Sequence, residues 1–211
     1  MDSLKYFVDK FSLDIESESP INIEKINRPI MAKCLYELGY KIGAEIGVAA
    51  GDHSKILLEN NPDLTLYCVD PWKRVDGFRS YRDATLEEWR INAEKILKPY
   101  KNRCHFMQTT SMNAVTRFKD HSLDFVYIDG AHDFKKIAMD ICEWLKKVKP
   151  GGILYGHDFT RIPGGKYPCH VKDVVTAFAN AKEIKTWFTL GMEGKADGLY
   201  RESQLAWMYL L

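Results

Sequence analysis

The chain lacks any apolar run approaching the roughly 20 residues that cross a bilayer, so no membrane-spanning helix and no membrane partner are expected. Its opening stretch, Met1-Asp-Ser-Leu-Lys-Tyr-Phe-Val-Asp-Lys10, carries charges throughout and does not have the form of a secretory signal. An excess of one charge is also missing. Thirty Lys and Arg against 29 Asp and Glu leave a net charge of +1, which supplies no global field for nucleic acid. Cysteine is sparse: Cys34, Cys68, Cys104, Cys142 and Cys169 are odd in number, widely spaced and without a C-x-x-C pair, and they read as reduced thiols of a cytoplasmic protein. Repeats and low-complexity tracts are missing too. What remains, 211 residues that are 45% hydrophobic and 28% charged, has the composition of a soluble globular chain with a substantial core.

The most informative run is Ile42-Gly-Ala-Glu-Ile-Gly-Val-Ala-Ala-Gly51, an apolar strand ending in a glycine turn that opens into a helix at Asp52-His53-Ser54. Gly47 permits the tight turn. Gly51 permits a ligand to approach the helix N-terminus, where free N–H groups favour an anionic group. The dinucleotide fingerprint G-x-G-x-x-G is not present; the pattern is E-x-G-x-x-x-G, with Glu45 two residues before Gly47. A second apolar strand, Leu64-Thr-Leu-Tyr-Cys-Val69, closes on Asp70, about 20 residues on, where a carboxylate can accept both ribose hydroxyls of a nucleotide cofactor.

Elsewhere helix and strand alternate. Leu4, Phe7, Val8 and Phe11 share one helical face, and residues 1–40 are expected to form an extension of two helices around a loop at Ser17-Glu-Ser-Pro20 that covers the site. The pattern predicts a helix over about 85–97, a strand over 104–108, a short helix capped by Ser111, and a strand over 123–128. Phe134, Ile137, Ala138, Ile141, Leu145 and Val148 then form a helical stripe. Lys149-Pro-Gly-Gly152 turns into a strand over 153–155, a helix spans 171–181, and the last strands lie near 184–190 and 204–210. Seven strands with interleaved helices predict an α/β main domain over 41–211.

The chemistry concentrates in Asp124-Phe-Val-Tyr-Ile-Asp-Gly-Ala-His-Asp-Phe134 and Tyr155-Gly-His-Asp-Phe159. The cradle resembles motif I of the class I S-adenosylmethionine-dependent methyltransferases. IDGAH, the WLKKVKPGG turn, GHDF, Asp70-Pro71-Trp72 and Val171-Lys172 together resemble the small methyltransferases grouped with macrocin O-methyltransferase. The match runs from about residue 40 to the C-terminus. It implies a Rossmann-like seven-stranded sheet, mostly parallel with an antiparallel last strand and helices on both faces. It also implies that Glu45, Gly47, Gly51 and Ser54 meet the methionine part of S-adenosylmethionine, Asp70 the ribose, and Thr110-Ser111-Met112 the adenine, with Asp129 under the sulfonium and His53 and Trp72 also at the cofactor. In members resembling catechol or macrolide-sugar O-methyltransferases, an Asp after strand four and an acid or amide pair after strand five hold magnesium. Asp129 and Asp158 are kept here, while His157 stands where the first acid of that pair is usual, leaving fewer hard oxygen ligands.

If strands four and five are neighbours, Asp129 and Asp158 sit on chains about 5 Å apart at the carboxyl edge where open α/β sheets bind ligands. His132 follows on the next turn. Asp129 and Asp158, with His157 or His132, suit magnesium or another divalent cation, and without a metal either histidine could act as general base, with an unperturbed pKa near ~6.5. Lys73, Arg74, Arg79 and Arg82 lie among Phe78 and Tyr81 in a segment that is either a clamp for an acidic substrate or a solvated loop. The stretch Thr160-Arg-Ile-Pro-Gly-Gly-Lys-Tyr-Pro168 reads as a substrate lid. The expected activity is O-methylation of a small, hydroxylated, sugar-like acceptor by Asp129, His132, His157 and Asp158. A nucleotide-dependent oxidoreductase on the same cradle and a non-catalytic cofactor-binding module are the alternatives.

Overall fold

The computed structural model describes residues 2–75, 82–165, 168–192 and 205–211. Phe78, Arg79 and Tyr81 of the basic segment, Lys166 and Tyr167 of the expected lid, and Gln204 at the start of the last expected strand lie outside them. The elements are α1 Ser3–Phe11, β1 Ile21–Ile23, α2 Arg28–Glu37, β2 Ile42–Ile46, α3 Asp52–Asn60, β3 Thr65–Val69, α4 Asp83–Leu97 and β4 Cys104–Met107. They continue as α5 Ser111–Val115, β5 Leu123–Ile128, α6 Phe134–Leu145, β6 Val148–Gly156, α7 Val171–Ala181, β7 Phe188–Leu190 and β8 Ala206–Leu210.

The strands form one sheet in the order β1-β7-β8-β6-β5-β2-β3-β4. Only β8 runs against its neighbours, β6 and β7. This is the expected Rossmann-like α/β sheet with one more strand than expected. The extension contributes the eighth: Ile21, Asn22 and Ile23 pair in parallel with Phe188, Thr189 and Leu190. Three residues show no period, and the partner is remote in sequence, so nothing local announces this strand.

Both faces of the sheet are covered, which is why its central strands read as nearly continuous apolar runs. In β5, Phe125 and Tyr127 enter the core that contains Phe7, Leu35 and Leu57, while Val126 and Ile128 enter the core of Ile141, Trp144 and Val175. The Lys149-Pro-Gly-Gly152 segment is not a separate turn. It lies inside β6, where pairing shifts between Leu123↔Val148 and Phe125↔Ile153, and a side chain at Gly152 would meet the Asp124 carbonyl oxygen at 2.5 Å. The α6 stripe is rotated from expectation: Phe134 is 56% exposed, whereas Trp144 and Asp140 are buried. The strand expected over 184–190 is reduced to Phe188–Leu190. Among the described residues, no helix is long and apolar enough to cross a membrane.

The chain leaves β2 toward β3 and β4 on one side and returns through β5 and β6 on the other. The crevice for a ligand therefore opens at the carboxyl ends of β2 and β5, the switch point of the sheet.

Candidate active site

Strand ends are stitched together at this edge: Gly47 N–H donates to Val69 O, Asp129 N–H to Ile46 O, and His157 N–H to Ile128 O. The residues following β2, β3, β5 and β6 are thereby brought around one cavity of about 1000 Å³. That volume lies at the upper end of small-molecule sites and accommodates a cofactor with an acceptor.

The cradle is built by backbone geometry. Gly47 has φ +93°, and a Cβ there would sit 2.1 Å from the Asp129 carbonyl oxygen. Ala49 also adopts a left-handed conformation, φ 48°, which a non-glycine residue occupies at a cost. Asp70 compensates: Val48 and Ala49 N–H each donate to its Oδ2 at 3.0 Å, and Trp72 N–H donates to Oδ1 at 2.8 Å. Burial holds the Asp70 pKa above the usual carboxylate value, against the pull of these three donors.

Not every residue expected at the cofactor faces the cavity. Glu45, Gly47, His53, Asp70, Thr110, Ser111 and Asp129 line it. Trp72 is 4% exposed, donates Nε1 to Ala49 O, and stacks near Phe106, so it braces the cradle from the core side. Ser54 is buried and donates its hydroxyl to Glu45. Gly51 caps α3, and a Cβ there would meet Ala93 of α4 at 3.0 Å, so its small size serves helix packing. Met112 packs against the core beneath α5. Ser111 does not cap α5, since Thr110 holds the N-cap position; Ser111 Oγ instead donates to Asp140 and accepts from Trp144 Nε1. Burial pushes the Asp140 carboxyl up to about 7.

At the ends of β5 and β6, Asp129, His132 and Asp158 each offer a ligand atom, all within 4.8 Å of one another. His132 Nε2 lies 2.9 Å from Asp158 Oδ2 and 3.8 Å from Asp129 Oδ1. His157 stands on the other side of Asp158, with Nδ1 3.0 Å from Oδ1. Of the two histidines open at sequence level, the structure places His132 in the three-residue cluster and His157 behind it. Burial works to lower the His132 pKa, but the hydrogen bonds and charges of Asp129 and Asp158 prevail and raise it to about 9. Burial works to raise Asp158, and the two histidines overcome it, holding the carboxyl well below the usual range. Asp129 is further held by the Tyr127 hydroxyl, which donates to Oδ2 at 3.2 Å, and by Arg28 of α2 at 3.6 Å.

Arg28 and Asp140 line the cavity and were not anticipated. Asp140 left a signal, a lone carboxylate beside Ile137, Ile141 and Trp144 on the buried face of α6. Arg28 left none, because its Asn27-Arg-Pro29 context marks only a helix start. Lys73 and Arg74 of the basic segment line the cavity, and Arg74 pairs with Asp83 at 3.1 Å.

A family model described as a methyltransferase domain matches residues 44–159, more than half of the chain. The chain belongs to this family. It is a methyltransferase of the S-adenosylmethionine-dependent class, and the oxidoreductase reading of the cradle is set aside. Solved structures agree on the fold. An O-methyltransferase of Bacillus cereus in complex with S-adenosylhomocysteine matches with TM-score 0.62 and 11% identity, over 100% of this chain and 91% of the other. The O-methyltransferase TomG of Streptomyces achromogenes, involved in tomaymycin synthesis and solved with S-adenosylmethionine, matches at 0.59 and 14%, over 99% and 89%. The 1,6-didemethyltoxoflavin-N1-methyltransferase of Burkholderia thailandensis matches at 0.54 and 12%, over 98% and 86%. A search of curated protein sequences finds no match to the chain.

Proposed function

We propose that this methyltransferase transfers the methyl group of S-adenosylmethionine to an oxygen of a small, hydroxylated, sugar-like acceptor held at Asp129, His132 and Asp158. The observation that carries the reading is the convergence of those three side chains at the ends of β5 and β6, beside the Gly47 turn. The sugar-like acceptor rests on the resemblance of IDGAH and GHDF to the macrocin group, and the choice of oxygen is supported by the two O-methyltransferases among the structural neighbours.

The chain's own residues supply alignment. Asp158, fixed between two histidines, and Asp129, fixed by Tyr127 and Arg28, present carboxylate oxygens that orient an acceptor hydroxyl toward the methyl donor. The sulfonium of the cofactor supplies a good leaving group, so rate comes mainly from in-line positioning. Neutral His132 can take the hydroxyl proton at Nε2. The donor set of two carboxylates and one imidazole also fits a divalent ion, which would be held by Asp129, His132 and Asp158 and would make a bound hydroxyl more acidic.

Methyl transfer to a panel of hydroxylated acceptors, followed by mass spectrometry of the products, tests the proposal. Exclusive methylation of nitrogen acceptors would overturn it. In the metal-free version His132 must be neutral to act as base, and that form grows only as pH climbs through about 9. Metal-independent turnover should therefore rise with pH, with a midpoint near that value rather than near 6.5. Chelator then separates the versions: loss of turnover restored by magnesium or manganese marks the metal, and indifference to chelator marks His132 as base. The same shift has a stability consequence. The ion pair of His132 stabilises the fold fully below about 6.5, and the contribution is lost as pH rises through about 9.

Asp70 is proposed as the ribose ligand. Asp70→Ala should weaken S-adenosylhomocysteine binding by about 1 to 3 kcal/mol, measured by calorimetry. Because the carboxylate also accepts from Val48 and Ala49, the variant should melt at lower temperature. An unchanged dissociation constant in folded variant protein would remove Asp70 from the cofactor site.

A further inference from the structure

Asp140 stands on α6 with its side chain turned toward the start of α5, and it is only 4% exposed although it lines the main cavity. One carboxylate oxygen is engaged within the protein: Ser111 Oγ donates to Oδ1 and accepts from Trp144 Nε1, which fixes the direction of the Ser111 proton. The other oxygen, Oδ2, has no hydrogen-bond partner among the described residues and stays open to the cavity. The charge felt at Asp140 is that of a second carboxylate, Asp133, which adds to the upward push of burial. A buried carboxylate with a free oxygen is costly unless a donor meets it, and the cavity is the side from which that donor can come.

The place of Asp140 along the sheet edge selects the donor. S-adenosylmethionine carries its sulfonium at C5′ of the ribose and its purine at C1′, so the two leave the ring from opposite ends. The methyl must face Asp129, His132 and Asp158 at the ends of β5 and β6, while Asp70, the proposed ribose ligand, closes β3. The purine then extends past β3 toward β4, whose end lies three strand spacings, roughly 14 Å, from that of β5. There the chain enters α5 through Thr110 and Ser111, and Asp140 meets Ser111 at that point. We infer that Asp140 reads the adenine of the cofactor, with Oδ2 accepting from the 6-amino group while Ser111 and Trp144 hold the carboxylate in place. A purine with oxygen at position 6 would meet the carboxylate acceptor to acceptor, so the same contact selects against it. The inference rests on the reading of Asp70 given above.

Calorimetry at pH 8, above the carboxyl's value of about 7, compares S-adenosylhomocysteine with two analogues that carry hydrogen or oxygen in place of the 6-amino group. Wild-type protein should prefer the amino form by about 10- to 100-fold, the range of one hydrogen bond to a charged acceptor. Asp140→Asn keeps the shape of the side chain and its oxygen toward Ser111, so the amide nitrogen faces the cavity. S-adenosylhomocysteine should then bind no better than the hydrogen form, and the oxygen form, which accepts from the amide, should bind best. A role in holding Ser111 alone, or a contact with another part of the cofactor, would weaken all three ligands equally. That result, or a wild-type preference below about 3-fold, overturns the inference. A crystal structure of the wild-type protein with S-adenosylhomocysteine gives a readout that does not depend on the variant folding: Oδ2 should lie within about 3.2 Å of the 6-amino nitrogen, and a different partner at Oδ2 overturns the inference. Unchanged affinity in Asp70→Ala alongside this base selectivity would remove the ribose ligand and still uphold Asp140.

Discussion

Asp158→Ala should leave S-adenosylhomocysteine affinity nearly unchanged while methyl transfer falls by a factor on the order of 100 or more. The separation follows from the layout of the cavity. Apart from Asp129, and Asp140 on α6, the proposed cofactor residues that line the cavity follow or lie in β2, β3 and β4, whereas Asp158 follows β6 and touches only His132 and His157 among the residues of the proposed chemistry. Its carboxylate is the hub of that group, so truncation releases both imidazoles. His132 would keep only Asp129 at 3.8 Å, and its pKa should drop back toward 6.5. The variant's residual pH–rate profile should therefore move to lower pH. Full activity, or an unmoved profile, would take Asp158 out of the mechanism.

Gly47→Ala is expected to have the larger effect on the molecule as a whole. The added Cβ would meet only backbone: Asp129 O at 2.1 Å, Asp129 C at 2.5 Å and Gly130 Cα at 2.8 Å. None of these can swing aside as a side-chain tip could. The left-handed conformation adds about 1 to 2 kcal/mol for a non-glycine residue, and overpacking adds about 1 to 3 kcal/mol. Relief requires the ends of β2 and β5 to part, which moves the cradle and Asp129 together. Cofactor affinity should fall more than about 10-fold and the melting temperature by several degrees, read by calorimetry and thermal denaturation. Gly151→Ala is the control, because Gly151 has φ +80° but no atom within 4 Å of a new Cβ. It should cost stability through strain alone and leave cofactor binding intact. Equal effects of the two variants on binding would show that the close approach at Gly47 is not what shapes the cradle.

Much of this site was legible in the chain because its devices are local. A glycine turn after an apolar strand, an acid closing the next strand, and acids closing two later strands are each readable within about ten residues. The order of those strands places them on one edge, and Gly47, Asp70, Asp129 and Asp158 do meet there. Side-chain direction was not legible. Trp72 and Ser54 neighbour cavity-lining residues in sequence, yet the indole donates to Ala49 O beneath the cradle and the Ser54 hydroxyl donates to Glu45, both out of the cavity.

Sequence by itself determined the fold class, the cradle and the chemical types gathered at the sheet edge, since backbone period, glycine freedom and strand-end carboxylates act over short stretches of chain. Tertiary structure alone decided which groups converge. It chose His132 over His157 for the cluster with Asp129 and Asp158, added Ile21–Ile23 to the sheet against Phe188–Leu190, brought Arg28 from the extension to Asp129, and set Asp140 against Ser111. Each of these depends on the approach of residues distant in sequence. The free energy that selects such contacts comes from packing two cores against one sheet, a property of the assembled layers that no window of the chain contains.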